Sequence, residues 1–241
     1  MEPLICSKAL QHPFTAIVSG PTQSGKTEWV IQLLDNAERS IFPIEDIAKI
    51  IYCYGEKQTK IDNALDRFQI RFPTCKVIQI QGLPSKEKIL FNNDDQQKLL
   101  ILDDLMEDAQ QSEFVMDLFT RGSHHNNLSV ILISQNLFLR GRHQRTISLN
   151  ACYIVVMKNP RDMSQIIHLG RQILPHQWQL VQQAYEMAVK KPHGYLFIDL
   201  RQSTDDRFRF RTNIFGENGQ PCTVFVAPEA TNEKAINRSQ R

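Results

Sequence analysis

The sequence predicts an α/β fold with one largely parallel β-sheet covered on both faces by helices. Three observations carry this reading. Short runs rich in Ile and Val alternate with segments of helical length, the first run enters a Gly-rich turn followed by an amphipathic stretch, and closely spaced strands appear near the end. A strand buried on both faces has no polar side to show, and parallel neighbours need a crossover of helical length between them.

The elements follow in order. Residues 14–18 form the first strand, which ends in Ser19-Gly20, and residues 28–34 have the composition of a helix. Residues 47–54 and 75–80 are two further strands, separated by a polar segment in which Ile61, Leu65 and Phe68 recur at helical spacing. A strand over 98–102 enters Asp103-Asp104. Phe114, Val115, Leu118 and Phe119 then mark a helix, and the strand 128–134 ends at Gln135. Residues 151–157 continue the strand series. Met163, Ile166, Ile167 and Leu169 propose a short helix, and 178–189 a longer one that stops before Pro192.

The last strands, 194–200 and 207–214, flank the polar stretch 201–206 and read as an antiparallel hairpin or two adjacent edge strands. Within Arg207-Phe-Arg-Phe-Arg211, a period of two places the phenylalanines in the core and the arginines in water. One domain over 14–215 accounts for most of the chain. An N-terminal extension, 1–13, precedes it. A C-terminal extension, 216–241, follows, strand-like only at 223–226 and expected to end in a mobile tail.

A chain of 241 residues with 41% hydrophobic and 22% charged residues buries a sizeable core, which excludes global disorder. Its five cysteines, Cys6, Cys53, Cys75, Cys152 and Cys222, form no CxxC pair, so they read as small buried hydrophobes in a reducing compartment. No apolar run is long enough to cross a bilayer and no secretory leader is apparent, so stable membrane insertion and secretion are not expected.

Gly20-Pro21-Thr22-Gln23-Ser24-Gly25-Lys26-Thr27 matches the complete GxxxxGK[ST] phosphate-binding loop, placed as required between a strand and a helix. The glycines let backbone N–H groups face phosphate oxygens, Lys26 reaches the β- and γ-phosphates of ATP, and Thr27 is a ligand for Mg²⁺. The strand 99–102 delivers Asp103 and Asp104 to its C-terminal end. Asp103 is the Mg²⁺-side carboxylate and Asp104 the group that orients the attacking water, with helix capping as its bland alternative. Gln135, at the end of the next strand, is placed to sense the γ-phosphate or the lytic water. His124 and His125 lie beside no ligand set with metal-binding spacing and read as surface or subunit-contact residues.

The net charge of +2 conceals a separation. Between residues 94 and 117, eight carboxylates face Lys98 alone, a net of −7, whereas residues 121–201 carry ten basic groups against three acidic ones, a net of +7. An acidic metal site beside a basic surface suits phosphate or the acidic edge of another subunit. Arg121 is the leading candidate for an arginine finger acting in trans, with Arg140 the alternative. Arg140, Arg142 and Arg145 form a loop suited to the DNA backbone, where charge supplies affinity with little base information.

The ordered combination of GPTQSGKT at 20–27, LLILDD at 99–104, TRGSHHNNLSVILISQNLF at 120–138 and PRDMSQIIHLGRQILP at 160–175 resembles the FtsK/HerA-type genome-packaging ATPases of double-stranded DNA viruses and virus-like large DNA transposons. The resemblance spans roughly residues 14–215. It implies a RecA-like P-loop ATPase core, a homo-oligomeric ring, and ATP-driven movement of double-stranded DNA into a preformed capsid through a capsid vertex or portal-like protein. It also implies an intracellular setting at the virion or the infected-cell assembly site, the nucleus included. Lys26, Thr27, Asp103, Asp104 and Gln135 occupy the matching Walker and sensor motifs, although Asp-Asp replaces the common Asp-Glu. The residues after the ATPase-like region are too few for an attached nuclease domain, so a packaging motor without genome-cutting activity, acting on a resolved genome monomer, is the expectation. Two other readings remain at this level: a non-motor P-loop kinase or switch, and an ATPase that remodels or secretes a protein partner.

Overall fold

The computed structural model describes residues 10–84, 96–105, 112–122, 127–138, 142–216 and 222–226. In chain order the first half contains β1 (Leu10–Gln11), β2 (Thr15–Ser19), α1 (Lys26–Asp35), α2 (Ala37–Ser40), β3 (Ile41–Phe42), β4 (Ile47–Tyr54), α3 (Thr59–Arg71), β5 (Lys76–Gln81) and β6 (Gln97–Asp103). The second half contains α4 (Glu113–Asp117), which runs on as a π turn over Leu118–Gly122, then β7 (Leu128–Ser134), α5 (Gln144–Leu149), β8 (Tyr153–Met157), α6 (Ser164–Ile173) and α7 (Trp178–Ala188). It closes with β9 (Tyr195–Asp199), β10 (Phe210–Thr212) and β11 (Thr223–Phe225).

Nine strands form the main sheet in the order β11-β10-β9-β8-β2-β7-β6-β4-β5. Pairing is parallel from β8 to β5 and antiparallel from β8 outward through β11. The strands β2, β7 and β6 are all but fully buried, which explains why each reads as an apolar run. Ala16 and Val18 face one side with Trp29, Leu33, Ile61 and Phe68 of α1 and α3. Ile17 faces the other with Val115, Ile166 and Val181 of α4, α6 and α7. This alternation is the period of two in an extended chain. Each buried large side chain contributes about 1.5–3 kcal/mol, so Trp29, Val30, Leu33 and Leu34 fix α1 firmly on the sheet. Trp29 also meets Phe215 and Tyr195, with ring centroids 5.4 Å and 6.2 Å away.

The register decides where the chemistry falls. Ser19 pairs with Ser134, and Tyr54 with Asp103, so the C-terminal ends of β2, β7, β6 and β4 form one edge.

The C-terminal strands depart from the expected pattern. Asp205 accepts from the Arg207 backbone N–H at 2.9 Å and turns 206–208 into a 3₁₀ segment, so no continuous strand spans Arg207 to Arg211. Phe210 and Arg211 are both buried, at 7% and 4% exposure, because β10 is an interior strand between β9 and β11. The expectation of arginines in water is thus corrected for Arg211. Its guanidinium donates to Asp199 Oδ2 at 2.8 Å, Arg201 donates to the same oxygen at 2.8 Å, and Asp199 is fully buried. The two guanidinium groups lie 4.7 Å and 5.0 Å from the ring centroids of Phe197 and Tyr153 respectively.

Cys53 and Cys75 are buried, Cys152 and Cys222 half-buried, and all four are free thiols. Burial pushes the thiols of Cys53 and Cys75 up to about 12 and about 11. Cys6, His124, His125 and the tail beyond 226 lie outside the described residues.

Candidate nucleotide site

The site begins where β2 ends. Gly20 N donates to Ser134 O at 3.1 Å, which ties the start of the loop to β7. A Cβ at Gly20 would lie 2.6 Å from both Met157 Cβ and Ser24 Oγ, so only glycine passes there. The loop then uses two left-handed residues, Gln23 at φ 64° and Gly25 at φ 101°, and Gly25 opens directly into α1. No side chain caps that helix. Its first-turn N–H groups therefore face outward, an arrangement that binds anions.

Lys26 Nζ donates to the carbonyls of Gly20 and Pro21 at 2.7 Å and 2.9 Å. Burial lowers its pKa, opposed by the nearby charges of Asp103 and Asp104. Ser24 Oγ is buried without a hydrogen-bond partner. Both features fit a loop whose own carbonyls hold the lysine that a triphosphate would take, with a hydroxyl left over for a ligand.

Across a cavity of about 660 Å³ from Lys26 and Thr27 stand Asp103, Asp104, Ser134 and Gln135. The structure thus brings together the P-loop, both carboxylates and the strand-end glutamine. Asp103 is 4% exposed and accepts a 2.6 Å hydrogen bond from Tyr52 Oη. Burial raises its carboxyl above the usual range, while the Tyr52 hydrogen bond and Lys26 work the other way. The Tyr52 phenol is pushed far upward by burial and then by Asp103, which keeps it a neutral donor. Asp104 is exposed and left-handed at φ 54°, a conformation that turns it out of the strand and into the cavity. The next described helix, α4, takes its cap from Ser112.

Residues without a recognisable motif complete the walls. Gln58 and Lys60, at the start of α3, line the cavity, as does His193, in the turn before β9, which lies beside Gly25. His193 lies with Nδ1 3.3 Å from Ser24 O. Beyond it a second cavity of about 410 Å³ shares Gly25, Glu28 and His193 with the first and continues past Trp29, Met187, Asn213 and Phe225. Nothing in local spacing marks these positions. Tyr52 reads as one more aromatic in a buried strand, and His193 as a residue after a helix-stopping Pro192.

Arg121 sits exposed in the π turn after α4 and does not line the cavity of its own chain. Arg142 and Arg145 are exposed just before and within the first turn of α5. Arg140 lies outside the described residues.

A strand, a phosphate loop and a helix facing paired carboxylates at the end of a nearby parallel strand define a P-loop ATPase. The family model of the poxvirus A32 protein matches residues 4–186, and the chain belongs to that family. No curated protein sequence matches it. Among solved structures it is similar to the genome packaging NTPase B204 from Sulfolobus turreted icosahedral virus 2. The AMP complex is 14% identical at a TM-score of 0.48, covering 80% of this chain and 96% of that one. The ATP-gammaS complex is 13% identical at a TM-score of 0.49, covering 90% and 98%.

Proposed function

We propose that this protein hydrolyses ATP to move double-stranded viral DNA into a preformed capsid. The observation that carries the reading is the single cavity in which the P-loop faces Asp103, Asp104 and Gln135, in a chain of the poxvirus A32 family.

ATP lies with its phosphates over Gly25, Lys26 and Thr27 and its base in the adjoining cavity past His193. Lys26 leaves the Gly20 and Pro21 carbonyls and donates to the β- and γ-phosphates. The Thr27 hydroxyl and the Asp103 carboxylate fit Mg²⁺, an oxygen-seeking ion that neutralises charge on the phosphates when bound. Asp104 accepts a proton from the attacking water and aligns it in line with the leaving group, with Gln135 holding that water or the γ-phosphate. Aspartate is one methylene shorter than glutamate, so the attacking water sits closer to the chain at Asp104, a left-handed residue that lines the cavity.

Arg121 supplies charge to the nucleotide of a neighbouring subunit in a ring, with Arg140 as the alternative, and Arg142 and Arg145 track the DNA backbone. Arg121, Arg142 and Arg145 are exposed and do not line the cavity of their own chain, which supports roles in trans and at a surface.

The test is ATP turnover measured with and without long double-stranded DNA across protein concentration, with Asp104→Ala as the hydrolysis-defective control. Turnover that rises with both DNA and concentration is expected. DNA-independent, concentration-independent activity, or phosphate transfer to an added acceptor, refutes the motor reading. Mixing Arg121→Ala with Lys26→Ala subunits tests the finger: partial restoration of turnover is expected, because mixed interfaces of one orientation join the intact loop of an Arg121→Ala subunit to the intact finger of a Lys26→Ala subunit.

A further inference from the structure

We propose that Tyr52 is a positioning residue for the metal-side carboxylate, holding Asp103 Oδ2 through its hydroxyl so that Oδ1 alone is presented to the metal ion. The inference rests on the reading of Asp103 given above. Tyr52 comes from β4, the strand next to β6 on the side away from the P-loop, and its hydroxyl meets Asp103 Oδ2 at 2.6 Å with 1% of the tyrosine exposed. The ring is itself held by stacking on Tyr54, with centroids 6.0 Å apart and planes 22° from parallel.

Two physical points make this arrangement more than a satisfied core tyrosine. The outer torsion of an aspartate is broad, so a carboxylate at a strand end is free to rotate unless one oxygen is tied. A tie made by a cation would satisfy the carboxylate's charge and compete with the metal. A neutral phenol orients the group and leaves the negative charge available. Lys26, whose charge reaches Asp103, is held by the carbonyls of Gly20 and Pro21 and, once nucleotide is bound, by its phosphates.

The experiment measures Mn²⁺ binding by electron paramagnetic resonance in the presence of AMPPCP, in the full chain. Tyr52→Phe keeps the ring and its stacking and removes only the hydroxyl. Its apparent Mn²⁺ affinity should fall on the order of tenfold, while AMPPCP affinity in EDTA stays within about twofold of the parent, as expected for a group that touches neither loop nor phosphate. The Mg²⁺ midpoint of ATP turnover should move by the same factor, with most of the maximal rate recovered at saturating Mg²⁺. Tyr54→Phe, which alters the same stacked pair and removes no hydrogen bond to the Asp103 side chain, should leave the Mn²⁺ affinity unchanged. An unaltered Mn²⁺ affinity in Tyr52→Phe overturns the proposal, as does an equal loss in Tyr54→Phe. Asp103→Asn separates the two levels. If it binds Mn²⁺ as the parent does, the assignment of Asp103 to the metal fails. If it loses Mn²⁺ while Tyr52→Phe does not, only the role of Tyr52 fails.

Discussion

Replacing Gly55 by alanine should impair hydrolysis without touching any residue of the P-loop. Gly55 follows β4, and its N–H donates to Asp103 O at 3.1 Å. A Cβ built there lies 2.6 Å from the backbone carbonyl oxygen of Asp104, where about 3.0 Å is the floor. The obstacle is backbone, so no side chain can swing aside. Either the turn at Gly55 or the chain at Asp104 must move by about 0.4 Å, and Asp104 already holds a left-handed φ of 54°. Overpacking of this kind costs about 1–3 kcal/mol. A 1 Å misplacement at a reacting centre costs about a hundredfold in rate, so 0.4 Å at the carboxylate proposed to orient the water corresponds to a loss on the order of tenfold. The assay pairs steady-state ATP turnover with the affinity of a fluorescent ATP analogue and the thermal midpoint. Turnover should fall while analogue affinity stays within about twofold. Turnover within twofold of the parent in folded protein would refute the link between the β4 turn and Asp104.

The remaining predictions concern charge. Lys26→Ala should abolish triphosphate binding, whereas Asp104→Ala should retain it and lower turnover by roughly a hundredfold or more; equal binding losses in both would contradict the division of labour. Asp199→Ala leaves two guanidinium groups, one of them 4% exposed, without their carboxylate and should cost about 3–5 kcal/mol in urea unfolding, with Asp199→Leu/Arg211→Met recovering much of it. A double variant no more stable than the single would show that the pair is not coupled. Burial lowers His12 from 6.5 to about 4, with Nδ1 2.6 Å from Ser129 Oγ. Below pH 6.5 the unfolded chain takes up a proton that the folded chain refuses. The associated stability is complete above that pH and is lost as pH falls toward 4. His12→Gln should flatten the urea midpoint between pH 7 and pH 5, and an unchanged slope would exclude His12 as its source.

The strand, loop and helix around Lys26 were legible because each is local: apolar runs, left-handed turns and helical spacing all act within a few residues. Asp103, Asp104 and Gln135 were legible for a related reason. Parallel strands gather their C-terminal ends on one edge whatever their order, so carboxylates that end an apolar run fall on the functional side. Tyr52 was not, since its partner is 51 residues away and its own strand reads as core. His193, which meets Ser24 across 169 residues, carries no sign of that contact in its neighbours. The Arg207 to Arg211 stretch misled because a period of two reports which side chains share a face, and not whether that face is wet. Flanked by β9 and β11, β10 has Arg211 buried and Asp199 beside it.

The amino-acid sequence by itself determined an α/β chain with a phosphate loop, two carboxylates and a basic second half, because these follow from local backbone geometry and residue chemistry. Only the tertiary structure decided the strand order, the tyrosine that holds Asp103, the histidine and lysine that close the cavity, and the burial of Arg211. Each of those depends on which distant strands pair, and pairing is settled by the summed burial and hydrogen bonding of the whole sheet, which no short stretch of residues contains.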